Sequence, residues 1–191
     1  MVAGNGVIEG MLFDLDGTLC NTHEANFESY SRALADFGIS LDRPAFDAMI
    51  GLPASVFVPR FAPMLTETEV SRVLAVKAEY FTDALTLIQP NRPLIAFLRS
   101  IRAHHTTALV TTSRRVNATR VLGHIGISDQ FDHLVFAEDV TKAKPDPEAY
   151  LLALDLCRLD PAKTIAFEDS PTGVAAAEAA GVRVVCVRCE D

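Results

Sequence analysis

Residues 7–18 read VIEGMLFDLDGT, and the fold turns on that stretch. A short apolar run ends in carboxylates at Asp14-Leu15-Asp16-Gly17-Thr18, the pattern of a buried strand with a polar tip. Residues i and i+2 of a strand point to the same face, so Asp14 and Asp16 address one point in space. Two carboxylates held that close repel each other unless a cation or a shared proton relieves them. Taken alone, the segment reads equally well as an Asp- and Gly-rich turn, and its surroundings decide the matter.

Directly after it the rhythm becomes helical. Phe27, Tyr30, Leu34 and Phe37 recur at helical spacing, and Gly38 is placed to end the run. Asp42 and Pro44 open a short helix that stops near Gly51. Thr66-Glu67-Thr68-Glu69 has the form of a capping box for a helix running to about Ala84. Beyond Pro90, strands and helices alternate. A helix over Arg92 to Arg102 leads to a strand at Thr107 to Val110, and a helix over Val116 to Leu122 to a strand at Leu134 to Phe136. A helix from the Asp146-Pro147 signal through Cys157 precedes a strand at Thr164 to Phe167, and a helix over Thr172 to Ala180, ended by Gly181, precedes a last strand at Val182 to Val187. This alternation predicts an α/β fold with a doubly wound, parallel, five-stranded Rossmann-like sheet. The core is expected to be residues 1–19 and 88–191, with an all-helical cap over residues 20–87 inserted after the first strand.

The chain has 191 residues, enough to bury a core without disulfides or a structural metal. A net charge of -8 argues against a broad basic face for nucleic acid, so any phosphate-binding charge must be concentrated locally. Cys186 and Cys189 are close together without a second pair, which speaks against zinc and for free thiols in a reducing compartment. Met1 to Leu12 does not read as a signal peptide, and Gly4-Asn5-Gly6 reads as a flexible terminus. No apolar run reaches the ~18–20 residues of a membrane span. A cytoplasmic protein without membrane or nucleic-acid partners is expected. The chain stops just after its fifth strand, which would leave a sheet edge for a homodimer to cover, so either a monomer or a homodimer is expected.

Three more groups fall after predicted core strands. Thr111-Thr112-Ser113 offers hydroxyls and backbone N–H groups before a helix, which suits both an anion site and a helix cap. Lys144 is held between Ala143 and Pro145-Asp146-Pro147, where the prolines are expected to keep the backbone extended. Glu168-Asp169-Ser170 closes the next strand, where acidic residues also favour a helix start. Ligands of an open parallel sheet bind at the carboxyl ends of its strands, so all four groups are expected to converge.

This order resembles the haloacid dehalogenase-like hydrolase superfamily. The motifs that carry the likeness are Asp14-x-Asp16-Gly17-Thr18, Thr111 after an apolar strand, Lys144-Pro145, and Glu168-Asp169-Ser170-x-x-Gly173. The spacing and the helical insertion look like the subgroup of phosphoglycolate phosphatases and β-phosphoglucomutases. The resemblance implies a phosphatase of small phosphate esters in which Asp14 is the nucleophile and forms an aspartyl-phosphate, and Asp16 is general acid and base. It implies Mg2+ held by the Asp14 carboxylate, the Asp16 backbone carbonyl and Asp169, with Glu168 near the ion or reaching it through water. Thr111 and the Thr112 N–H would bind phosphate, with Lys144 offsetting charge.

A sugar-phosphate mutase is the alternative within that family. Asn26 stands where β-phosphoglucomutase-like relatives carry a proton-shuttling histidine, and Gly51-Leu52-Pro53-Ala54-Ser55 lacks the expected cap arginine; both count against it. A receiver-type signalling domain also uses a strand-end Asp, a hydroxyl residue, a lysine and magnesium. The long helical insertion and the acid at Asp16 argue against that class. Arg60, Lys77 and Arg114-Arg115 are candidates for a substrate's second anionic group, although each reads more readily as solvated surface. His104-His105 reads as a helix end.

Overall fold

In a computed structural model of the chain, residues 7–49 and 54–189 are described. The expectations for Gly4-Asn5-Gly6, for a stop near Gly51 and for the missing arginine at Gly51-Leu52-Pro53 fall outside the described residues. In chain order the elements begin with β1 (Gly10–Phe13), β2 (Cys20–Asn21), α1 (His23–Ala35), α2 (Arg43–Asp47), α3 (Ala54–Phe61) and α4 (Glu67–Asp83). They continue with β3 (Gln89–Pro90), α5 (Arg92–Ile101), β4 (Thr106–Val110), α6 (Arg115–His124), β5 (His133–Val135), α7 (Glu148–Cys157), β6 (Thr164–Glu168), α8 (Pro171–Ala179) and β7 (Arg183–Cys186). Short 3-10 turns follow α4 at Ala84–Leu87, β5 at Ala137–Asp139 and α7 at Pro161–Lys163.

Two compact units result: residues 1–21 with 89–191, and residues 22–88. The first is the α/β unit. Its five-stranded sheet has the order β5-β4-β1-β6-β7, and every neighbouring pair is parallel. Parallel strands covered on both faces read as continuous apolar runs, and β1 is buried at all four positions. One face of the sheet carries Leu12, Val110 and Ala166 against Tyr150, Ala153 and Leu154 of α7 and Ala176 and Ala177 of α8. The other carries Phe13 stacked on Phe167 at 4.7 Å, with Phe97 of α5 leaning on Phe167 at 5.6 Å. β7 forms one edge, where Val185 is exposed.

β1 is central, and the chain builds outward from it first through β4 and β5, then on its other side through β6 and β7. The connections reverse direction around β1, which opens a crevice at its carboxyl end. Backbone bonds run on past the strand itself: Asp14 N donates to Phe167 O at 3.1 Å, and Thr111 N to Val135 O at 3.0 Å. Those ladder bonds fix the first residue beyond each strand. The antiparallel pair β2–β3, two residues in each strand, goes beyond what the sequence reading found; periodicity cannot register so short a strand.

The second unit is helical. α1 packs along α4, around an apolar cluster that includes Tyr30, Phe46, Phe57 and Val73. The capping box at Thr66 and Glu69 is formed, and Gly38 takes φ +72 after α1, a left-handed conformation that glycine adopts without a Cβ penalty. One expectation fails in detail: Asp146 is not the N-cap of α7. Pro147 takes that position, while Asp146 Oδ1 accepts Glu148 N at 3.0 Å.

Candidate active site

The ends of β1 and β6 and the loop after β5 bring Asp14, Lys144 and Glu168 into contact. Lys144 Nζ donates to Asp14 Oδ1 at 2.7 Å, to Glu168 Oε1 at 2.5 Å and to Val110 O at 2.9 Å. An ammonium has three N–H groups, and these three acceptors match them. All three side chains are buried, Glu168 completely. The segment that delivers Lys144 is a series of turns with a cis Lys144–Pro145 peptide, not the extended backbone expected from its prolines.

Glu168 accepts from three side chains. Besides Lys144, the Tyr150 hydroxyl donates to Oε1 at 2.7 Å and Ser170 Oγ to Oε2 at 3.3 Å. Ser170 also caps α8 by accepting Gly173 N at 3.0 Å. A Cβ on Gly173 would collide with the Glu168 carboxylate, so glycine is required there for close approach. Gly17 is a parallel case: its φ is +92, and a Cβ would strike the Asp169 carboxylate. Thr18 Oγ1 donates to Asp169 Oδ1 at 3.1 Å, tying the loop after β1 to the loop after β6.

Asp14, Glu168 and Asp169 each offer an oxygen, and these oxygens lie within 4.8 Å of one another. Burial holds the Asp14 carboxyl well above the usual carboxylate range; Lys144 opposes the rise and the Glu168 charge adds to it. Asp169, the most open of the three, is raised as well, mainly because protein displaces water around it. For Lys144, burial alone would lower the pKa, but the charges of Asp14 and Glu168 outweigh it and raise the group. Burial, then Glu168, push the Tyr150 phenol far up, so it remains a proton donor. Three carboxylates around one ammonium leave a deficit of positive charge. Hard oxygen donors in that state fit a small divalent cation.

Asp16 accepts from Ser113 Oγ at 2.7 Å, and its charge also acts on Asp14. Thr111 is buried, and its Oγ1 accepts Ser113 N at 3.0 Å, which fixes the hydroxyl at the end of β4. Thr112 is exposed between them. The geometry adds Tyr150 to the residues that the sequence singles out, and gives Ser113 and Thr18 partners, Asp16 and Asp169, that the sequence does not show. Tyr150 was hidden because an aromatic residue on the buried face of α7 reads as core. The pairings of the two hydroxyls were hidden because their carboxylate partners are 97 and 151 positions away.

The cationic candidates divide. Arg114 and Arg115 are exposed and pair with Glu138 and Asp139 at 3.3 and 2.6 Å, and Arg60 is exposed. Lys77 corrects the surface reading: it is buried within the helical unit, where Nζ donates to Asn26 Oδ1 at 2.8 Å and lies over the Tyr30 and Phe81 rings. The face of α4 it occupies is aromatic, and its alkyl stem packs there.

The family described as haloacid dehalogenase-like hydrolase matches residues 11–187. A phosphorylated carbohydrates phosphatase of Thermotoga maritima is 32% identical over 180 residues, covering 92% of this chain and 82% of that protein. The crystal structure of CbbY from Rhodobacter sphaeroides in complex with phosphate superposes with a TM-score of 0.87 at 25% identity, covering 96% of this chain and 88% of that one. The β-phosphoglucomutase of Clostridium difficile gives a TM-score of 0.80 at 25% identity, covering 94% of this chain and 84% of that one. The chain belongs to the haloacid dehalogenase-like hydrolase family, among relatives that include phosphatases and β-phosphoglucomutase-like proteins, and is an enzyme.

Proposed function

We propose that the enzyme is a phosphatase that hydrolyses a small organic phosphate monoester through an aspartyl-phosphate on Asp14, with Mg2+ as its cation. The observation that carries this reading is the contact of Lys144 with Asp14 beside the three-carboxylate cluster. The cation would be held by Asp14, the Asp16 backbone carbonyl and Asp169. Glu168, whose oxygens already accept from Lys144, Tyr150 and Ser170, would stand behind Asp14 and Asp169 or act through water. When bound, Mg2+ supplies positive charge that offsets the phosphate oxygens.

The protein's own residues carry the rest. An Asp14 carboxylate oxygen attacks phosphorus and the ester P–O bond breaks, while Asp16 gives its proton to the departing alcohol oxygen. Asp16 then takes a proton from water, whose oxygen attacks the acyl phosphate; phosphate leaves and Asp14 is restored. Thr111 and the Thr112 N–H bind phosphate oxygens. Lys144 keeps Asp14 aimed and limits the build-up of negative charge. The helical unit acts as a cap that excludes bulk water during the first step.

Phosphorylated carbohydrates are the first substrates to test, because the Thermotoga maritima relative carries that description. A sugar-phosphate mutase is favoured by the likeness to the Clostridium difficile enzyme and to a β-phosphoglucomutase-like protein of Thermotoga maritima. Asn26 argues against it, since an amide that donates to Thr22 and accepts from Lys77 has no proton to shuttle. The net charge of -8 supports a small-molecule substrate over nucleic acid, and among the described residues no helix is long and apolar enough to cross a membrane. We place the enzyme in the cytoplasm as a monomer or homodimer.

A panel of phosphate monoesters assayed with Mg2+ and with chelator tests this reading. Chelation should abolish phosphate release. Asp14→Asn should remove nearly all turnover and all acid-stable protein-bound phosphate, and Asp16→Asn should cost at least ~10²-fold. Undiminished turnover by Asp14→Asn would exclude the covalent route, and an isomerised sugar phosphate as main product would favour the mutase.

A further inference from the structure

Tyr150 belongs to none of the motifs, yet its hydroxyl ends in the nucleophile's network. The ring is fully buried on α7, whose neighbouring inward residues Ala149, Ala153 and Leu154 are apolar. Packing at such a position would be met by phenylalanine, and a hydroxyl placed there costs free energy unless it is hydrogen-bonded. Its partner is Glu168 Oε1, the same atom that accepts from Lys144.

Lys144 is divided between two acids, Asp14 and Glu168, that share its ammonium. Asp14 must be held yet left able to attack, and Glu168 competes for the same ammonium. How strongly Glu168 draws the lysine depends on what else satisfies its Oε1. The carboxylate cannot turn away to rebalance itself, because Ser170 holds Oε2 and Gly173 leaves no spare room against it. Oε1 is therefore where the competition is set, and the Tyr150 hydroxyl shares that atom at 2.7 Å.

We infer that Tyr150 is a positioning residue: by donating to Glu168 Oε1 it tempers the pull of Glu168 on Lys144 and keeps the ammonium aligned on Asp14. This rests on the phosphatase reading above. Removing the hydroxyl leaves a buried carboxylate oxygen one donor short, and Lys144 is the donor that remains on it. The ammonium then shifts toward Glu168 and away from the nucleophile, with no change in the surface that meets substrate.

The test compares wild type, Tyr150→Phe, Glu168→Gln and the double variant as full chains, with the phosphate ester that wild type hydrolyses and saturating Mg2+. Tyr150→Phe should lower kcat and the quenched-flow rate of Asp14 phosphorylation by about 10–100-fold, the scale seen for partners that orient catalytic ligands. KM and melting temperature should change little. In the Glu168→Gln background the same substitution should change the phosphorylation rate less than about twofold. Wild-type phosphorylation in Tyr150→Phe, an equal loss in both backgrounds, or a loss that merely follows a collapsed melting temperature would each overturn the proposal and leave the phosphatase standing. A wild type without turnover on any ester would overturn both.

Discussion

Lys144 in the α/β unit and Lys77 in the helical unit are both buried, and their surroundings differ in kind. Lys144 gives its N–H groups to two carboxylates and one carbonyl. Lys77 bonds the amide oxygen of Asn26 and lies over Tyr30 and Phe81, with Nζ 4.8 and 4.3 Å from the ring centroids. Aromatic faces and an amide dipole steady a cation without neutralising it, whereas paired carboxylates bind its position to their own. The first arrangement ties a lysine to the proposed nucleophile, and the second ties a lysine to a helical core. The contrast teaches that burial alone does not mark a catalytic group; what it is buried against does.

That contrast is open to attack at several strengths. The largest effect is expected from Lys144→Met, which should lower kcat by about 10²–10³-fold, the loss typical of one preorganised donor. Steady-state assays would show it, and a Lys77→Met enzyme that lost as much would erase the distinction between the two lysines. Gly173→Ala comes next. Its Cβ drives into Glu168, so denaturant unfolding should report a loss of about 1–3 kcal/mol, with turnover falling as well. Lys77→Met should cost about 1–2 kcal/mol of stability through the lost amide bond and ring contacts, with turnover reduced far less than in Lys144→Met.

A smaller effect follows from the raised Asp14 pKa. An acid raised in the folded state binds its proton more tightly there than when unfolded. Its contribution to stability therefore declines as pH climbs from the ordinary carboxylate range toward the raised value. In metal-free protein, Asp14→Asn should remove that decline, so its melting temperature should gain on the wild type as pH rises above the ordinary carboxylate range. Melting curves across pH would check the sign, and Mg2+ should stabilise only the wild type appreciably. Smallest is Thr66→Ala, which unmakes the capping box of α4 at about 0.5–1 kcal/mol and leaves turnover unchanged.

The sheet and the meeting of Asp14 with Glu168 were legible because parallel strands write themselves as apolar runs and β1 and β6 run into carboxylates. Lys144 instead arrives from a loop of turns nine residues beyond β5. The capping box was legible for a similar reason, since its two members lie three residues apart. Lys77 was not, because a lysine reads as solvated surface even between the buried Val73 and Phe81 on its own face of α4, and its partners Tyr30 and Asn26 lie far off in the sequence. Tyr150 was not, because a phenol and a benzyl ring look alike in an apolar pattern until a carboxylate is found 2.7 Å from the oxygen. Single hydroxyl contacts across the chain, such as Ser113 with Asp16, leave no periodic trace at all.

The β2–β3 pairing has a consequence for how such enzymes diversify. Asn21 and Gln89 face each other in antiparallel register, so the chain departs for residues 22–88 and returns through one hydrogen-bonded doorway. A two-residue Asn-Gly turn has the geometry to bridge that gap. Recombination could therefore trade the whole inserted module for another, or delete it, while the five parallel strands and their polar rim keep their register. Grafting at that doorway would leave the carboxylate cluster of Asp14, Glu168 and Asp169 untouched.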